Sequence, residues 1–186
     1  NDSRIRVTTR VSNEGSSSAQ IGIRYLWDIM IGPDDDSWFK TVDPDTPYSD
    51  QFTEYSDPQF RVFEAVNDLV SPLFHIYGTV NGEFGLFPAP TAPDHLMYAL
   101  WSDAFNDAWD FVVQGGQADS AVALFWGFDQ ADAFNISQNQ SAAVTAYIGT
   151  VLFPPPGSDQ VPTLTEWGAL VLAGLLGLLI AIKRRS

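Results

Sequence analysis

Six aspartates crowd the stretch from residue 28 to 45. Asp34, Asp35 and Asp36 follow Gly32-Pro33, Asp28 precedes them, and Asp43 and Asp45 come after. Ca²⁺ takes six to eight oxygen ligands, and dense carboxylates on a loop can supply several of them. Asp34, Asp35 and Asp36 are therefore the expected Ca²⁺ ligands, the one cofactor for which the sequence makes a case. The spacing departs from the EF-hand pattern of alternate ligands, a central Gly and a closing Glu. The alternative is a solvated acidic loop. Asp103, Asp107 and Asp110 would share a face if residues 102–110 were helical. Carboxylates held about 5–9 Å apart can hydrolyse a glycosidic bond, but nothing here places one in an apolar pocket that would raise its pKa. His75 and His95 lack metal-ligand spacing and read as structural. No Gly-x-Ser-x-Gly elbow and no phosphate-cradling loop is present. No catalytic residue is assigned, and an enzyme is not expected. Of the many aromatics, Trp27, Trp101, Trp109 and Trp126 fall at core-facing positions of expected strands. Trp38, in the Asp-rich loop, and Phe105, between Asp103 and Asp107, are the expected contacts if the chain stacks on a glycan.

These residues need a scaffold. The 186-residue chain is 45% hydrophobic and 13% aromatic, which predicts a folded chain. It has no cysteine, so neither a disulfide nor a thiolate site contributes. Its net charge is −14, and residues 1–160 hold 22 acidic against 6 basic side chains, hence −16. Such a surface repels nucleic acid, which is excluded as a partner. The chain starts at Asn1 with no basic or apolar leader. An exported protein needs one, so the expectation is a longer precursor and a body truncated at its N-terminus.

Residues 4–12 alternate, with Ile5, Val7, Thr9 and Val11 opposed by Arg4, Arg6, Thr8 and Arg10. This is the period of a half-buried strand. Residues 19–30 alternate again, and the turn chemistry of residues 13–18 predicts a hairpin between the two. Residues 32–58 show no sustained period and read as a long excursion. Further strands are expected over 59–66, 73–80, 95–101, 109–113, 120–126 and 142–152. The predicted architecture is all-β, an antiparallel β-sandwich over residues 1–153. A Pro/Gly linker, 154–160, follows.

Residues 161–186 differ from all of this. Val161-Pro162-Thr163-Leu164 and Trp167-Gly168 lead into an apolar run, 168–182, closed by Lys183, Arg184 and Arg185. Its 15 residues span about 22 Å as a helix at 1.5 Å per residue, somewhat short of a ~30 Å hydrocarbon core. Trp167 at one interface and snorkelling cations at the other extend that reach. The expectation is one transmembrane helix, with the basic end in the cytoplasm and the acidic body outside.

Val161, Pro162, Thr163, Leu164, Trp167 and Gly168 resemble the IPTL-CTERM protein-sorting signal of Gram-negative bacteria, with Val in place of Ile. That resemblance implies an exported protein handled at the inner membrane by an exosortase-type protease. It also implies delivery to the cell surface or beyond. A looser resemblance links residues 4–149 to uncharacterised sandwich modules of secreted bacterial and archaeal proteins. It rests on the strand ending Asn13-Glu14-Gly15, the run Asp119–Trp126 and the close at Tyr147-Ile148-Gly149. The expected function is a structural or adhesive role in the envelope or an extracellular polysaccharide matrix. The rivals are a carbohydrate-binding module and the C-terminal accessory part of a larger secreted enzyme.

Overall fold

Alternation at the start of the chain produces β1 (Arg4–Ser12), and ten further strands follow among the described residues. They are β2 (Ala19–Ile21), β3 (Ile23–Asp28), β4 (Trp38–Val42), β5 (Thr53–Ser56), β6 (Val62–Val66), β7 (His75–Thr79), β8 (His95–Leu100), β9 (Ser120–Trp126), β10 (Phe134–Ile136) and β11 (Ser141–Gly149). One short helix, α1 (Trp101–Phe105), follows β8. The computed structural model describes residues 3–150 apart from Asp34, Asp107 and Gln117. These belong to the first of two units, Asn1–Phe153 and Pro154–Ser186. The expected linker, sorting motif, transmembrane helix and basic end lie outside the described residues.

All strand pairs are antiparallel. One sheet runs β1-β11-β7-β6-β4, a second β3-β9-β8-β5, and β10 pairs with β2 in a small third ladder. The all-β class expected from the sequence is what the chain adopts. The two larger sheets share a core. Ile23 and Tyr25 of β3, Leu96 and Tyr98 of β8, and Val122, Leu124 and Trp126 of β9 meet Phe39, Phe63, Ala65, Val144 and Ala146 of the other sheet. The Phe39 ring stacks on Tyr98 across the interface, with centroids 4.8 Å apart. β9 is buried on both faces and reads as a nearly continuous apolar run after Ser120, whereas β6, buried throughout as well, carries Glu64 at its centre. The outward residues of β8 and β9 (Met97, Ala99, Ala121, Ala123 and Phe125) form a second cluster beneath Ala104, Trp109 and Phe111.

Three expectations about strands are corrected. The hairpin between residues 4–12 and 19–30 does not form: β1 pairs over its whole length with β11, from Arg4↔Gly149 to Ser12↔Ser141. Residues 19–30 divide at Gly22, with β2 on β10 and β3 on β9. A side chain at Gly22 would lie 2.6 Å from the Gly127 carbonyl and 2.7 Å from the Trp109 ring, so the crossing needs glycine there. Alternation specifies which face a strand buries, not which strand it pairs with. The excursion at 32–58 contains β4 and β5. β4 was hidden because Lys40 occupies a position where a buried partner, rather than an apolar face, decides the matter. Residues 109–113 form no strand. Trp109, Phe111 and Val113 instead cover the outer face of β8 and β9 as irregular chain.

Candidate functional site

Three carboxylates converge where β3 ends and β9 begins. Asp28 closes β3, Asp119 immediately precedes β9, and Asp35 lies in the loop before β4; one oxygen from each lies within 4.8 Å of the others. Pairing sets Asp28 opposite Ala121, two residues past Asp119. The loop is then pinned by Ser120, whose backbone N–H and hydroxyl both donate to the Asp35 carbonyl, at 2.9 and 3.0 Å. The Ser120 Oγ also accepts from the Ser37 N–H at 3.2 Å and lies 2.7 Å from the Ser37 hydroxyl. The Tyr98 hydroxyl donates to the Ser37 carbonyl. Ser37 and Ser120 are both buried, so a packed polar anchor fixes the position of Asp35.

Electrostatics follows from that geometry. Partial burial, then the neighbouring Asp35, pushes the Asp28 carboxyl above its ordinary range. Burial, then Asp35, Asp28 and Asp36, does the same to Asp119. Like charges held this close disfavour full ionisation, and a hard divalent cation with oxygen ligands would relieve the repulsion. Among the described residues this is the one group of three or more acidic, His or Cys side chains whose ligand atoms converge.

The expected ligands divide. Asp35 belongs to the cluster; Asp36 is exposed beside it; Asp34 lies outside the described residues. Asp28, which the sequence set among the crowded aspartates, is a member. Asp119, 84 residues beyond Asp35, carried no local signal. Asp43 and Asp45 serve the turn after β4, where Asp45 Oδ1 accepts from the Asp43 N–H at 3.2 Å. The proposed face of Asp103, Asp107 and Asp110 is not assembled, because α1 ends at Phe105 and Asp110 follows in irregular chain. Asp107 lies outside the described residues.

Trp38 belongs to β4, opposite Val66, and is half-buried rather than carried on a loop. Phe105 is 66% exposed and stacks on Trp101 at 5.1 Å. The two belong to different layers, since β4 is in the five-stranded sheet and α1 packs on the outer face of the four-stranded one.

Two other polar groupings were not legible in the sequence. His95 is buried, with Nε2 2.7 Å from Glu54 Oε1 and its ring stacked on Phe128 at 3.9 Å. It borders an acidic depression of about 240 Å³ lined also by Asp57, Asp94 and Asp132. Burial outweighs the Gly127 and Phe128 amides there and raises the Asp94 carboxyl. On the outer face of the five-stranded sheet, the buried Glu64 accepts from Tyr48 Oη at 2.6 Å and Lys40 Nζ at 3.0 Å and meets His75 Nδ1. Burial by itself would raise the Glu64 carboxyl, but these three partners hold it below its ordinary value. Burial and the Glu64 charge push Tyr77 up to about 12. These contacts tie β4, β6 and β7 to the loop after β4.

Comparison with curated proteins and with solved structures found no match, so the looser resemblance of residues 4–149 to secreted sandwich modules has no support there. At the other end of the chain, the family model described as the IPTL-CTERM motif matches residues 160–186, and the chain thus ends in the C-terminal sorting signal of an exported protein.

Proposed function

We propose that this chain is a surface-sorted extracellular body, a substrate of an exosortase-type protease rather than a catalyst, with a structural or adhesive role in the envelope or its polysaccharide matrix. The observation that carries the reading is the motif match at residues 160–186. In this reading Val161-Pro162-Thr163-Leu164 and Trp167-Gly168 are what the protease recognises. Residues 168–182 cross the inner membrane, and Lys183, Arg184 and Arg185 remain in the cytoplasm. A body at −16 stays soluble and keeps its distance from anionic headgroups. The test is surface labelling and gel mobility of the full precursor in its native host. Pro162→Ala combined with Trp167→Ala is expected to leave an uncleaved, membrane-bound form and cut surface signal by about tenfold. Normal processing and display of that variant would end the proposal.

Within the same reading, Asp28, Asp35 and Asp119 bind Ca²⁺ and brace the loop before β4. A site filled to ten times its dissociation constant adds about 1.4 kcal/mol, or roughly 3–6 °C in Tm for a chain of this size. Millimolar Ca²⁺ should produce that rise and EDTA should reverse it. Asp119→Asn should abolish the response. It should also raise Tm slightly in EDTA, because the carboxyl it removes is itself held above its ordinary range by burial and by Asp35, Asp28 and Asp36. A wild-type Tm indifferent to Ca²⁺ would exclude the site.

A further inference from the structure

We infer that the open edge of β1 is a strand-addition site for an extended segment of a partner protein whose side chains alternate between apolar and acidic. β1 is nine residues long and stands at the end of its sheet, with no strand beyond it among the described residues. The opposite edge of that sheet is capped, because Phe39 of β4 and Ser49 exchange backbone hydrogen bonds of 2.9 and 2.8 Å. In the other sheet β5 is four residues long, and just before it Gln51 bridges Gly116.

The phase of the ladder decides which groups face outward. Asn13 N–H donates to the Gln140 carbonyl and Thr150 N–H to the Ser3 carbonyl, each at 2.9 Å, and the register between them is unbroken. In an antiparallel pair the bonded residues alternate, so the odd-numbered residues bond β11. Arg4, Arg6, Thr8, Arg10 and Ser12 therefore turn their N–H and C=O groups toward the open side. An extended chain laid there gains backbone bonds in the manner of β-augmentation.

Side chains specify what that chain carries. Arg4, Arg6 and Arg10 are exposed on one face of β1 and are three of the six cations in residues 1–160. On the other face Val7 and Val11 pack against the core while Ile5 is 61% exposed. A neighbouring strand places alternate residues beside Ile5 and Val7, where apolar groups extend the core. It places the others beside the arginines, where carboxylates pair favourably across strands. A second copy of β1 is a poor occupant, because it would set three more arginines against these and like charges across an edge oppose pairing.

The full chain in detergent micelles supplies the test, with two fluorescent nine-residue peptides as probes: one alternates Val and Asp, the other Val and Lys. The Asp peptide is expected to bind at least about tenfold more tightly than the Lys peptide. Thr8→Pro removes an N–H from the open side and leaves the β11 ladder intact, so it should weaken Asp-peptide binding by about tenfold or more. Should that variant fail to fold, Arg6→Glu with Arg10→Glu decides instead, by reversing the preference between the peptides. Failure of the Asp peptide to bind, equal binding of both probes, insensitivity to these substitutions, or a dimer joined through β1 of two copies would each overturn the inference. None of these outcomes depends on whether the sorting tail is processed.

Discussion

Glu64→Ala should be among the most damaging single substitutions in the described body, costing about 3–5 kcal/mol and lowering Tm by roughly 6–20 °C. The carboxylate is 4% exposed and is the common acceptor for Tyr48, Lys40 and His75. Its removal leaves a half-buried ammonium, a phenol and an imidazole without the group they were arranged around. Lys40 also lies over the Tyr48 ring at 5.0 Å, so the loop after β4 loses its tie to the sheet along with the charge. Glu64→Gln keeps an acceptor oxygen and should cost less, about 1–3 kcal/mol. The sign of the pH dependence follows from the direction of the Glu64 shift, which is downward. Stability contributed by a depressed carboxyl is fully present above its unfolded value, about 4.3. It is lost as pH falls through the lower folded value. Urea unfolding at pH 7, 5, 4 and 3 should show the wild type losing stability over the acidic end of that range and Glu64→Gln losing less. A Tm for Glu64→Ala within 2 °C of the wild type would show that the network contributes nothing.

Phe63 and Gly78 should behave as one unit. They face each other in the β6–β7 register, and a Cβ placed on Gly78 would lie 2.0 and 2.2 Å from atoms of the Phe63 ring. That ring is fully buried and stacked on Phe39, which is stacked on Tyr98, so it has nowhere to swing. Gly78→Ala alone should therefore cost about 1–3 kcal/mol from overpacking. Phe63→Ala alone should cost about 3–5 kcal/mol from the cavity it leaves. Together they should cost less than the sum, because the new methyl enters space the ring has vacated and alanine suits a strand better than glycine. A double-mutant cycle by chemical denaturation measures the coupling; strict additivity would mean the ring and the glycine do not constrain each other.

How much of this was legible in the sequence depends on the range of the signal. β1, β6, β7, β8, β9 and β11 were visible because their apolar residues sit at intervals that burial dictates locally. The pairing of β1 with β11 was not, since residues 4 and 149 meet only through the whole topology. β4 was concealed by Lys40, whose position makes sense only beside Glu64 and so depends on a residue 24 places away. Apolar side chains at 109–113 suggested a strand, yet they serve as a lid on sheet residues whose backbone groups are already paired. The acidic site followed the same logic. Asp28 and Asp35 stood out by crowding, whereas Asp119 joined them through β3–β9 pairing and the grip of Ser120 on the Asp35 carbonyl. The tail motif was readable throughout because a short linear signal carries its meaning in consecutive residues.

The bond between the Thr150 amide and the Ser3 carbonyl brings the two ends of the described body to the same corner, with a mechanical consequence. Opposed traction on Ser3 and Thr150 would part β1 from β11 like a zipper, one rung after another, and needs little force at any instant. Traction between Thr150 and the far tip of β1 near Asn13 instead slides the two strands lengthwise and strains every bonded pair of the ladder at once. A body held through its C-terminal side therefore resists drag best when the drag is borne at the Asn13 tip.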